Sequence, residues 1–225
     1  MGKTWFVTGT DTGVGKTAVS CALLVAAARA GLRTAAVKPV AAGCDEQGRN
    51  DDAVRLMASM TEVLDYDQVN PVALDAAVAP HIAASLQGKR MQASRLAGLC
   101  RGVMLGAADF VLIEGAGGWR VPINSRETLA DVAIELRVGV ILVVAMRLGC
   151  INHALLTAEA ICRDGLQLVA WVANQPGPRM DCHEDNLDTL RQLLPVPLLG
   201  DIPFQPHWET EVTASYLDIQ PLLEL

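Results

Sequence analysis

The chain has 225 residues, of which 51% are apolar and only 4% aromatic, and it carries a formal net charge of −7. That length suffices for a single domain with a core on both sides of a sheet, and so many small apolar residues favour helices packed on parallel strands over an aromatic-rich β-sandwich. The acidic balance argues against a nucleic-acid binder or a partner of anionic membranes. With no basic-then-apolar leader and no run of about 18 apolar residues, the expectation is a cytoplasmic protein with no membrane attachment.

In chain order, the apolar run 4–8 reads as a strand and 16–30 as an alanine-rich helix closed by Gly31. Residues 34–39 form a second expected strand, stopped by Pro39, and the polar stretch 43–52 reads as a loop. The segment to Leu105 is mostly helical in pattern, interrupted at Asn70-Pro71 and Ala79-Pro80. Residues 110–114, 140–145, 168–174 and 196–202 are the remaining strands, with a helix expected over about 152–163. This alternation predicts an α/β fold: a mainly parallel β-sheet flanked by helices on both faces, P-loop-like, in one domain over 1–225. The cysteines Cys21, Cys44, Cys100, Cys150, Cys162 and Cys182 are scattered without a Cys-x-x-Cys pair, which fits a reducing compartment. Cys150 and His153, one helical turn apart, are too few ligands for a transition-metal site.

Between the first strand and the first helix lies Gly9-Thr10-Asp11-Thr12-Gly13-Val14-Gly15-Lys16-Thr17. A glycine-rich loop opening a helix cradles phosphate with backbone N–H groups and the positive end of the helix dipole. Lys16 would reach the β- and γ-phosphates, and the Thr17 hydroxyl would sit on Mg²⁺. The loop is one residue longer than the usual spacing, since Thr10 stands where glycine would begin it. It is therefore a variant P-loop.

Ligands in such folds sit beyond the carboxyl ends of the strands, where Lys38, Glu114 and Asn174 fall. Lys38 reads either as a second ammonium beside the phosphates or as a residue snorkelling to water. Glu114, ahead of Gly115, Ala116, Gly117 and Gly118, reads either as a metal carboxylate or as a cap on the following backbone. Asp52 is equally a metal carboxylate or part of a helix cap with Asn50 and Asp51. At the turn of Gly149, Cys150, Ile151 and Asn152, the N–H groups could hold a carboxylate, or Asn152 could be an N-cap. Asn174 suits either a base edge or a turn.

The ordered set of these segments resembles dethiobiotin synthetase. It runs from Phe6-Val7-Thr8-Gly9-Thr10-Asp11-Thr12 and Val14-Gly15-Lys16-Thr17 through Lys38-Pro39-Val40 and Arg49-Asn50 with Asp52. It continues through Asn70-Pro71, Pro80-His81, Glu114-Gly115-Ala116-Gly117-Gly118-Trp119 and Leu148-Gly149-Cys150-Ile151-Asn152-His153. It ends with Trp171-Val172-Ala173-Asn174, Pro197-Leu198-Leu199-Gly200 and Ile202-Pro203.

The resemblance implies an ATP- and Mg²⁺-dependent ligase that joins CO₂ (from bicarbonate) to 7,8-diaminopelargonate and closes a cyclic urea. Lys16 and Lys38 would be catalytic. Thr17, Asp52 and Glu114 would hold the metal. ATP would meet Gly13, Val14, Gly15, Lys16, Thr17, Ala18, Asp52, Glu114, Gly115, Ala116 and Gly117, with its base near Asn174, Gln175, Pro203, Phe204 and Gln205. Substrate would meet Thr12, Lys16, Lys38, Ala42 and Gly118, while Gly149, Cys150, Ile151 and Asn152 would bind its carboxylate from the neighbouring subunit of a homodimer. Glu209 or Glu211 would contact the ribose. Two positions depart from the family pattern: Ala42 stands where serine is usual, and Gly13 where some relatives carry glutamate.

Two rivals fit less well. A partition-type switch ATPase would be expected to carry a lysine near the start of the loop, where Thr10 and Asp11 stand, and to end in a basic amphipathic tail. A cobyrinate-type amide synthetase would need a glutamine-hydrolysing domain for which 225 residues leave little room.

Overall fold

The computed structural model describes residues 2–225. Its first half runs β1 (Lys3–Gly9), α1 (Lys16–Arg29), β2 (Thr34–Val37), β3 (Ala41–Ala42), α2 (Asp51–Ser59), α3 (Tyr66–Val69), β4 (Ala73–Leu74), α4 (Pro80–Leu86) and α5 (Ala93–Met104). Then follow β5 (Phe110–Glu114), α6 (Leu129–Leu136), β6 (Gly139–Ala145), α7 (Cys150–Arg163), β7 (Leu168–Asn174) and α8 (His183–Leu193). The chain closes with β8 (Leu198–Ile202), α9 (Thr210–Ala214) and α10 (Gln220–Leu223).

Six strands form one sheet in the order β2-β5-β1-β6-β7-β8, and every pairing in it is parallel. Alternate residues of each strand enter opposite cores, as a period of two requires. Val111 and Ile113 join Phe6 on the face covered by α5, α6, α7 and α8, whereas Phe110 and Leu112 join Val7 on the face covered by α1, α2 and α10. Burial on both faces explains why the central strands are continuous apolar runs.

The expected strands fall where they were read, to within two residues. Four helical segments went unread: α6, α8, α9 and α10. So did the two-residue pairing of β3 with β4, which is too short to leave a periodic pattern. α8 is mostly polar and buries only His183, Leu187 and Leu190, a stripe too narrow to announce a helix.

β1 lies between β5 and β6, although the chain visits β2 first. The connection out of β1 runs toward β2 and the one out of β6 runs toward β7. These adjacent strands are therefore left in opposite directions, and a crevice opens at their carboxyl ends. Gly9, the last residue of β1, begins the glycine-rich loop there.

Candidate active site

The N-cap of α1 is Gly15, whose φ of 90° lies in the left-handed region, and no side chain caps the helix. A Cβ at this position would also overlap the Asn174 amide. Only glycine meets both demands. The first turn of α1 has no acidic residue. Among the described residues, none of the backbone N–H groups from 13 to 18 has a protein acceptor. Unpaired donors at the positive end of a 14-residue helix make a seat for anions. Asn174 Nδ2 donates to Val14 O at 2.7 Å, which ties the end of β7 to the loop.

Lys16 is buried and donates from Nζ to Gly117 O at 2.5 Å and to Asp11 O at 3.2 Å. Burial, together with repulsion from Lys38, lowers its pKa from the ordinary 10.5 to about 8.

Lys38 follows β2 directly, and its backbone is fixed on both sides. Its N–H donates to Val69 O at 2.7 Å, and its carbonyl accepts from Asn70 Nδ2 at 2.7 Å. The side chain is 4% exposed, which removes the snorkelling reading. Nζ lies 2.6 Å from Glu114 Oε1 and 2.7 Å from Asp52 Oδ2. Burial pushes the ammonium pKa down, but Glu114 and Asp52 outweigh it and hold the group above its ordinary range. For Asp52, burial pushes the carboxyl pKa up, and the Lys38 charge more than reverses that.

Glu114 ends β5 and is fully buried, with Thr17 Oγ1 donating to Oε1 at 2.8 Å. It caps no backbone. The cap of α2 is Asn50, whose Oδ1 accepts from Asp52 N at 3.0 Å. Asn50 is itself held by Ala42 O and Tyr66 Oη, so the first turn of α2 delivers Asp52 to the cleft.

These groups line or floor a cleft of about 860 Å³. Thr12, Gly13, Gly15, Lys16, Thr17, Ala18, Lys38, Ala42, Asp52, Ala116 and Gly117 all face it. Gly115 and Gly118 do not. Gly115 spends its N–H on Val7 O at 2.9 Å and lies against the Phe6 ring, so close packing on β1 is what requires glycine there. Gly118 rests against the backbone of Gly9, Thr10 and Asp11.

Gln175, Pro203 and Phe204 line a neighbouring hollow of about 440 Å³ together with Asp201. Gln205 turns away from it, because its amide bonds Thr213 Oγ1 at 3.1 Å. Glu211 is paired with Arg29. A larger concavity of about 1110 Å³, beside α4 and residues 123–127, contains none of the expected site residues.

The turn before α7 falls outside the cleft of its own chain. Gly149 is the N-cap, with φ 95° and no side-chain cap. Asn152 therefore lies inside the helix and is not its cap. The Cys150 N–H is spent on Arg147 O at 2.9 Å, which leaves Ile151 and Asn152 as the free donors of that turn.

Sequence reading missed Arg55 and Trp208, which also face the cleft. Arg55 had one local signal, its position one helical turn after Asp52. Trp208 had none.

The family profile described as "AAA domain" matches residues 3–212. The chain is 53% identical to the ATP-dependent dethiobiotin synthetase BioD of Marinobacter nauticus, over 98% of each chain. It is 55% identical to that of Cellvibrio japonicus, over 99% of this chain and 98% of the relative. Among solved structures, the septum site-determining protein MinD of Pyrococcus horikoshii, complexed with Mg-ADP, aligns over 92% of this chain and 83% of its own. Its TM-score is 0.56 at 17% identity. The ParA family ATPase of Chlorobium tepidum aligns over 100% and 92%, with a TM-score of 0.58 at 12% identity. Those two likenesses show the P-loop fold alone. Sequence identity above one half over nearly the whole length separates this chain from the switch ATPases: it belongs to the ATP-dependent dethiobiotin synthetase family.

Proposed function

We propose that the cleft around Lys16 and Lys38 is where this member of the family makes dethiobiotin, and that it binds ATP, 7,8-diaminopelargonate and CO₂ side by side. One observation carries this assignment: Lys38, Asp52, Glu114 and Thr17 meet within hydrogen-bond distance, directly beside the unpaired N–H groups of the P-loop.

The chemistry divides into three steps. An amine of the substrate adds to CO₂ and loses a proton, giving a carbamate. A carbamate oxygen attacks the γ-phosphorus of ATP and ADP leaves, which produces a carbamic–phosphoric anhydride. The second amine attacks the activated carbon, phosphate departs, and the urea ring closes with loss of a proton.

Lys16 and Lys38 neutralise the charge that gathers on the carbamate and the transferred phosphoryl group. A preorganised cation at such a point lowers the barrier by about 3–4 kcal/mol. Holding both reactants in one cleft removes the entropy of bringing them together.

Mg²⁺ fits the residues present. Thr17 Oγ1, Asp52 and Glu114 are hard oxygen donors, and Glu114 Oε2 is buried without a hydrogen-bond partner. When bound there, the metal would supply charge neutralisation on the phosphate oxygens.

The base of ATP belongs on the Asn174, Gln175, Pro203 and Phe204 side. Glu209, which has no cation partner among the described residues, is the candidate for the ribose, since Glu211 is committed to Arg29. The carboxylate of the substrate belongs at Ile151 and Asn152 of a second copy in a homodimer, because that turn is absent from its own cleft and the adjacent Leu148 is 94% exposed. No helix among the described residues is long and apolar enough to cross a membrane.

The test is ATP turnover with and without diaminopelargonate and bicarbonate, with the product identified by mass. Turnover that depends on both, and yields the cyclic urea, is expected. ATP hydrolysis indifferent to both overturns the assignment.

A further inference from the structure

The four ionisable groups at the floor of the cleft, Lys16, Lys38, Asp52 and Glu114, sum to no formal charge, because the two ammoniums face two carboxylates. A nucleoside triphosphate brings several negative charges to this neutral floor. A divalent cation would offset only part of that charge, and the rest falls to the loop N–H groups and to cationic side chains on the walls. Two arginines stand on the walls, Arg55 and Arg120. Arg120 is paired with Asp164 at 2.8 Å. Arg55 has no carboxylate partner among the described residues. Its Cζ instead lies 5.3 Å from the centroid of the Trp208 ring.

Both members of this pair are anchored. Arg55 precedes Leu56, which is buried in the core beneath α2, and it lies one turn after Asp52 on the side that faces the cleft. Trp208 packs its ring on the core around α1, just before α9, and α9 is tied to α1 by the Arg29–Glu211 pair. α1 packs against both α2 and α9, so the stacked pair joins its two neighbours beside the phosphate-binding end. The Trp208 N–H is buried and has no acceptor in the protein.

We propose that Arg55 and Trp208 form a clasp on the nucleotide, in which the guanidinium is a positioning group for the polyphosphate and the indole face holds it in direction. A guanidinium stacked on an aromatic ring keeps its N–H edge free for phosphate oxygens, and its planar fork loses little freedom on binding them. The clasp rests on the reading of the cleft as an ATP site. It adds a determinant of nucleotide affinity to that reading without entering the chemistry.

The experiment is steady-state kinetics and fluorescence titration with ATP and ADP on the full chain. Arg55→Ala is expected to raise KM for ATP about tenfold and to leave kcat within about twofold, with KM for diaminopelargonate unchanged. Arg55→Lys restores part of the loss, because it keeps the charge but not the fork. Trp208→Phe keeps a ring face and stays within about threefold of the wild type, whereas Trp208→Ala reproduces the Arg55→Ala defect. The double variant Arg55→Ala/Trp208→Ala is no worse than either single change, as expected of one unit. Nucleotide-dependent tryptophan emission is lost in Trp208→Phe, since Trp5, Trp119 and Trp171 are buried away from the cleft. An unchanged KM for ATP in Arg55→Ala, with the wild type active, overturns the clasp and leaves the ATP assignment intact. A wild type that binds neither nucleotide overturns both.

Discussion

The N-termini of α1 and α7 are built alike but surrounded differently. Each helix has 14 residues, begins at a glycine with φ of 90° or 95°, lacks a side-chain cap and has no acid in its first turn. Each therefore presents unpaired N–H groups at a positive helix end. Around α1, whose own first residue is Lys16, the side chains of Lys38, Asp52 and Glu114 close in from three other segments of the same chain. Around the start of α7 no such cluster of ammoniums and carboxylates is found among the described residues, and Leu148 stands almost fully exposed beside it. A helix end states that an anion is welcome. Which anion, and whether one chain suffices to hold it, is decided by what packs around the end.

The largest expected effect breaks the α1 side. Lys38→Ala should lower kcat by about 10²–10³ with ATP affinity changed only a few-fold, as read from steady-state kinetics and nucleotide titration. The fold should survive in far-UV circular dichroism but lose about 3 kcal/mol in denaturant unfolding, because Glu114 then stays buried with only the Thr17 hydroxyl to hold its charge. Turnover within threefold of the wild type would remove Lys38 from the mechanism.

The α7 side should respond next. Asn152→Asp places a negative charge on that turn and should raise KM for diaminopelargonate about tenfold, leaving KM for ATP unchanged. Mixing this variant with Lys38→Ala should restore about a quarter of wild-type activity, since a mixed dimer regains one intact site. No recovery at any mixing ratio would place both helix ends in service of one chain alone.

The proton balance of Lys16 sharpens the α1 side further. Its pKa of about 8 in the folded protein lies below the unfolded value. Below pH 8 both states hold the proton, and the buried charge is then destabilising. As pH rises from about 8 to 10.5, the folded state releases its proton first, and this group's contribution to stability increases. ATP favours the charged form, so its affinity should fall as pH passes 8. Binding at pH 8.5 should take up about 0.8 proton, measured by titration calorimetry in buffers of different ionisation enthalpy. An uptake of zero would mean that Lys16 stays charged throughout.

The smallest effect is expected at Ala42, which lies in β3 and faces the cleft. Ala42→Ser should lower KM for diaminopelargonate about two- to threefold by adding a hydroxyl contact. If neither KM moves, that position does not see the substrate.

Much of the fold was legible because buried parallel strands are apolar runs, and β5 and β7 were read to the residue. The helices missed were those whose stability is tertiary, such as α8 with its narrow apolar stripe and the short α9 and α10. At the site, consecutive residues were readable and dispersed ones were ambiguous. Lys38, Asp52 and Glu114 each had two local meanings, because a lysine at a strand end or an acid near a helix start is common. Arg55 and Trp208 lie far apart in the chain, and neither carries a motif.

The sequence by itself determined the phosphate cradle, because its physics is local: glycines that reach positive φ, N–H groups without partners and a helix dipole, all within nine consecutive residues. Only the tertiary structure decided the charge state and partners of Lys38, the isolation of the α7 turn from its own cleft, and the stacking of Arg55 on Trp208. Those depend on burial and on distances between segments. Desolvation makes an ammonium seek two carboxylates, and only the packed sheet brings them within reach.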